Sequence, residues 1–98
     1  FRHKVRASVA AVLRSGGLRN IDPLNHNITY SELFMPSANY WTVAHGKVPG
    51  EMEQDAEGKQ IMEVLGRNMA WLMKVIEAGS TKVSPPTRVD KIATDFIR

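Results

Sequence analysis

Residues 4–17 read KVRASVAAVLRSGG, and the reading of this stretch decides the fold. Strict alternation puts Val5, Ala7, Val9, Ala11 and Leu13 on one face, as in a strand. Helical spacing is met as well, because Val5, Val9, Val12 and Leu13 recur at i, i+4, i+7 and i+8, and alanine favours helix. In that case Gly16 would be a C-cap. A short Val/Ala run closed by Gly16-Gly17 also fits a buried strand of a parallel sheet. Local pattern leaves strand and helix both open.

Downstream, Asp22-Pro23 is a sound helix start, since Asp caps and Pro is tolerated in the first turn. The following Asn25, Asn27 and Thr29 are weak helix formers, so a short or irregular helix is expected before the break at Pro36-Ser37-Ala38-Asn39. Tyr40-Trp41-Thr42-Val43-Ala44 is aromatic and β-branched and reads as a strand or extended segment. His45 to Gly50 reads as a loop, with two glycines and Pro49.

Asp55 opens the clearest element. Ile61, Leu65, Met69, Leu72, Met73 and Ile76 form an amphipathic stripe, which predicts one helix over 56–77, buried along Ile61, Leu65, Met69, Leu72 and Ile76. Gly66 beside the stripe suggests close approach to a sheet, and Gly79 ends the helix. The acidic residues Glu51, Glu53, Asp55 and Glu57 precede or open that helix, where its dipole favours carboxylates. After Ser84-Pro85-Pro86, Thr87 and Asp90 resemble a capping box. Val89, Ile92, Phe96 and Ile97 then give a second, short stripe, so residues 84–98 are expected to be a tail with a short helix. The order strand, helix, strand, helix, helix implies α/β layering with parallel strands. Two strands cover a helix as apolar as 61–76 poorly, which suggests part of a larger domain.

Composition narrows the functional classes. Ninety-eight residues make at most one small domain, and 43% hydrophobic with 23% charged residues is globular usage. No run approaches the ~18 apolar residues of a membrane span. The absence of cysteine removes disulfides, thiolate metal sites and cysteine nucleophiles, and fits a reducing, cytoplasmic setting. A net charge of +3 does not call for nucleic acid; the basic start, Arg2 to Arg19, reads first as a solvated face. His3, His26 and His45 are too far apart in sequence for a helical pair, so no metal site is expected. Ser15 is not in a nucleophile elbow, and Gly16-Gly17 is neither a Walker loop nor a dinucleotide fingerprint. If residues 4–14 are a strand, however, Gly16-Gly17 lies where open α/β sheets bind ligands. Tyr40-Trp41 reads either as core or interface, or as a stacking platform for a planar ligand.

The ordered set Arg14-Ser15-Gly16-Gly17, Met35-Pro36-Ser37-Ala38-Asn39-Tyr40-Trp41, His45-Gly46…Pro49-Gly50-Glu51, and Asp55-Ala56-Glu57-Gly58…Leu65-Gly66-Arg67-Asn68-Met69-Ala70 resembles the C-terminal half of a flavodoxin-like flavoprotein. The similarity is to the group of NADPH-dependent FMN reductases, multimeric flavodoxins and iron–sulfur flavoproteins, and runs from about Val5 to Gly79. It implies a parallel β-strand over residues 4–13 and a partial flavodoxin-like α/β sheet with flanking helices. It also implies an FMN-dependent NAD(P)H oxidoreductase in which Ser15, Gly16, Gly17 and Leu18 touch the isoalloxazine. Tyr40, Trp41, His45 and Gly46 would lie near the ring and the acceptor site. The family's phosphate loop follows its first strand and has no counterpart here, and Leu18-Arg19-Asn20 replaces the usual acidic residue or Thr. Without cysteine there are no ligands for an iron–sulfur cluster. The expectation is therefore a fragment or truncated relative, inactive alone, that pairs as a homo-oligomer or with a complementary N-terminal half. The alternative is a non-catalytic α/β interaction module.

Overall fold

A computed structural model describes residues 2–95. The element order is β1 (Ala10–Val12), α1 (Gly17–Tyr30), β2 (Val43–His45), a 3₁₀ turn (Met52–Gln54) and α2 (Ala56–Gly79). The chain is thus mixed α/β, with β1 and β2 paired in parallel at Ala10↔Val43, Ala11↔Ala44 and Val12↔His45. Residues 4–14 are not helical, but the strand expected over 4–13 is only three residues long. A separate parallel bridge joins Val5 to Phe34. Five residues lead from Val5 to Ala10 and nine from Phe34 to Val43, so the two lines cannot stay in register between these points. The excess bulges out around Pro36, which has no N–H for a ladder. Thr42 Oγ1 donates to Ser8 O at 2.7 Å and ties the two lines across that gap.

The first helix starts five residues before the expected Asp22. Gly16, at φ 86°, turns the chain in the left-handed region, and α1 begins at once. Pro23 therefore lies inside the helix, where it leaves the Arg19 carbonyl without a helical donor. Burial of Ile21 and Ile28 on the inner face of α1 offsets that loss. The weak helix formers are accommodated by back-bonding: Asn27 Nδ2 donates to Pro23 O, Thr29 Oγ1 to Asn25 O and Ser31 Oγ to Asn27 O. The second strand begins at Val43 rather than Tyr40, and His45 belongs to it rather than to the loop.

Side chains of β2 alternate between the two helices. A Cβ at Gly17 would stand 2.6 Å from Val43 Cγ1, so the start of α1 presses on the Val43 face. A Cβ at Gly58 would stand 3.1 Å from Ala44 Cβ, so α2 presses on the other. Gly58, not Gly66, is the glycine of close approach; a Cβ at Gly66 would meet nothing within 4 Å. The core consists of Val12, Ile21, Ile28, Ala44, Ile61 and Leu65. The stripe of α2 is buried only as far as Leu65. Met69, Leu72 and Ile76 are half-buried because little chain lies opposite the second half of the helix, apart from the loop held by Asn68 Nδ2 donating to Ser37 O at 2.7 Å. Residues 84–95 hold no helix or strand and are exposed; Phe96 and Ile97 of the expected second stripe lie outside the described residues.

Candidate cleft at the carboxyl ends of the strands

Parallel strands carry their following loops on one common edge, and here those loops lead into the starts of both helices. Between them lies an open cleft of 490 Å³. Ser15, Gly16, Gly17, Leu18 and Arg19 form one wall, from the turn into α1. Tyr40, Trp41, Val43 and His45 form the second, and Asp55, Glu57, Gly58 and Ile61 at the start of α2 close the third.

The wall at α1 is built of backbone. Gly16 makes no side-chain cap, and no acidic residue sits in the first turn. Arg19 N reaches Gly16 O at 3.1 Å, whereas the N–H groups of Gly17 and Leu18 have no partner among the described residues. This wall therefore offers donors and a positive dipole end. Gly17 is buried, and the space its missing Cβ would fill belongs to Val43. In the aromatic wall, Tyr40 and Trp41 are tilted by 55° with centroids 6.2 Å apart, and both are more than half exposed.

The third wall is organised by Asp55. Its Oδ1 accepts from Gly58 N at 2.9 Å, capping α2, and its Oδ2 accepts from His45 N at 2.8 Å. The same Oδ2 stands 3.5 Å from His45 Nδ1. One carboxylate thus caps a helix, fixes the end of β2 and orients a cleft histidine. These bonds hold the Asp55 carboxyl below its ordinary value of 3.8; the Gly58 amide contributes most, then the His45 amide. Glu51 closes the intervening loop in the same way, Oε2 accepting from Lys47 N at 2.6 Å and Val48 N at 3.2 Å.

Of the residues expected at a site, Ser15, Gly16, Gly17, Leu18, Tyr40, Trp41 and His45 share this cleft. Gly46 is outside the lining. Its N–H donates to Val12 O at 3.0 Å, prolonging the strand pairing, and a Cβ there would stand 3.0 Å from Met52 N. Sequence reading missed Arg19, Val43, Glu57, Gly58 and Ile61 as lining residues, and gave Asp55 only its capping role. The spacing from Asp55 to Gly58, a cap and the N–H it meets, was the available signal. Among the described residues no group of three or more His, Cys, Asp or Glu could hold a metal ion, and no helix is long and apolar enough to cross a membrane. Comparison with protein-family models, with curated proteins and with solved structures gave no match.

Proposed function

We propose that the cleft receives the isoalloxazine ring of FMN, and that the chain is the ring-side half of an NAD(P)H-dependent oxidoreductase of the flavin reductase or quinone reductase type with a flavodoxin-like fold. The observation that carries this reading is the meeting of two distant stretches, Ser15–Leu18 and Tyr40, Trp41 and His45, in one cleft. Its volume lies within the range of about 300–1,000 Å³ usual for small-molecule sites.

The residues suit the ring. Unpartnered N–H groups at Gly17 and Leu18 match the carbonyl and nitrogen edge of a pyrimidine, where a reduced flavin carries negative charge. Trp41 offers a face for stacking, and His45, held by Asp55, adds a polar ring to the rim. The sequence contains no Ser/Thr-rich phosphate loop, so the phosphate end would come from a complementary N-terminal half. The bound flavin would supply hydride acceptance from NAD(P)H and onward electron transfer; this chain's residues place the ring and stabilise its charge.

Titration with riboflavin and with FMN, read by quenching of flavin fluorescence, tests the proposal. Both should bind saturably and with equal affinity, because the chain contacts the ring and not the phosphate. Trp41→Ala should weaken both by roughly two- to tenfold, the worth of one aromatic contact. Absence of saturable binding would favour the second reading, an interaction module. That reading draws on the exposure of Tyr40, Trp41 and Trp71, at 62%, 57% and 68%.

A further inference from the structure

We propose that the cleft discriminates by the charge of its ligand and that His45 sets the discrimination: protonated His45 admits a planar anion that neutral His45 disfavours. The inference deepens the flavin reading, since a flavin ring gains negative charge on reduction, and it rests on that reading's premise that the cleft holds a planar ligand.

His45 ends β2 and lines the cleft, with its side chain 52% exposed. One carboxylate fixes it twice. Asp55 Oδ2 accepts from His45 N at 2.8 Å and stands 3.5 Å from His45 Nδ1. Nδ1 therefore faces Asp55. Nε2 makes no hydrogen bond among the described residues and is the polar atom left for a ligand. The Gly58 amide, then the His45 amide, hold the Asp55 carboxyl below its ordinary value, so it stays ionised where histidine changes charge, between about pH 5 and 8. Only one member of the pair switches in that range.

Few other charges face His45. Its partner strand β1 brings none. The turn into α1 brings Arg19, the start of α2 brings Glu57 beside Asp55, and the segment before β2 adds the uncharged phenol of Tyr40. In the loop after β2, the Glu51 carboxylate is taken up by the Lys47 and Val48 amides, and Glu53 pairs with Lys59 at 3.7 Å; none of these four lines the cleft. Set against Arg19, the carboxylates of Asp55 and Glu57 leave the lining with one net negative charge while His45 is neutral, and with none once it is protonated. That remaining charge opposes the donors at the Gly17 and Leu18 N–H groups, and its cancellation lets them act on an anion. His3 and His26 do not line the cleft. One unit charge ~6 Å away in a half-solvated site changes affinity by roughly three- to tenfold.

Two probes test this on the whole chain, at about pH 5.5 and about pH 8, on either side of the midpoint usual for histidine. Naphthalene-2-sulfonate is planar and permanently anionic, and oxidised riboflavin is planar and neutral. Amide shifts at Gly17, Leu18 and Trp41 report binding in the cleft. The sulfonate should bind roughly three- to tenfold more tightly at the lower pH, and riboflavin equally at both. His45→Gln keeps the backbone bond to Asp55 and should hold the sulfonate at its weaker affinity at both pH values. Glu57→Gln removes one negative charge and should strengthen sulfonate binding at the higher pH by a similar factor. A sulfonate that does not bind in the cleft, or binds equally at both pH values, overturns the proposal. So does a pH dependence that persists in His45→Gln. Saturable riboflavin binding alongside any of these failures leaves the flavin reading standing. Loss of riboflavin binding with the sulfonate result intact removes the flavin and keeps His45 as the charge selector for another planar ligand.

Discussion

Asp55 does more than any other single residue to hold the cleft, through the Gly58 and His45 amides. Its role has a pH signature. Its carboxyl is held below 3.8 in the folded chain, so the unfolded chain takes up a proton first as pH falls. The stability it contributes is complete above 3.8 and is lost as pH drops through the lower folded value. Asp55→Asn should lower the melting temperature at neutral pH and flatten the fall in stability below pH 3.8, as followed by circular dichroism. A variant with the wild-type acid slope would show that Asp55 is not the group responsible. Gly17 illustrates a limit on residue-scale reasoning. Sequence alone presents it as room for a ligand, but a Cβ there would collide with Val43, so bulk at this position perturbs packing as well as the cleft. Trp41, exposed and unburdened by the core, is the cleaner probe.

Elements with strong internal signals were legible from sequence, and those shaped by neighbours were not. The capping Asp55 and the spacing of Ile61 and Leu65 specify α2, which is found nearly as expected, two residues longer at its end. Replacing Leu65, 4% exposed, with Ala should cost about 2–5 kcal/mol, and equilibrium denaturation measures it. Leu72→Ala should cost clearly less, since Leu72 is only half-buried; equal losses would mean that the far half of α2 is covered after all. The start of α1 was misplaced because Asp22-Pro23 is a strong local signal, yet the left-handed turn at Gly16 and the burial of Ile21 set the boundary earlier. The strand over residues 4–13 was too long because its length depends on its partner. The extra residues around Pro36 end that pairing, and no pattern within 4–13 records them.

The whole molecule is open and flat. Its radius of gyration is 17.2 Å, where about 13 Å is usual for this length, and its extents are 47 × 45 × 19 Å. Among the described residues six buried hydrophobic side chains make a small core, and no further strand flanks the two-stranded parallel sheet. Sequence suggested this through the shortage of strands, and it could bring the cleft residues together only on the premise that residues 4–14 are a parallel strand, because Ser15–Leu18 and Tyr40-Trp41 converge by topology rather than by spacing. The central claim, that the cleft receives the flavin ring, is tested most directly by amide chemical-shift mapping of the chain during titration with riboflavin. Saturable shifts concentrated at Gly16, Gly17, Leu18, Trp41 and His45 are the predicted result. Shifts that are absent, or that centre on another surface such as Trp71 and the far half of α2, would contradict it.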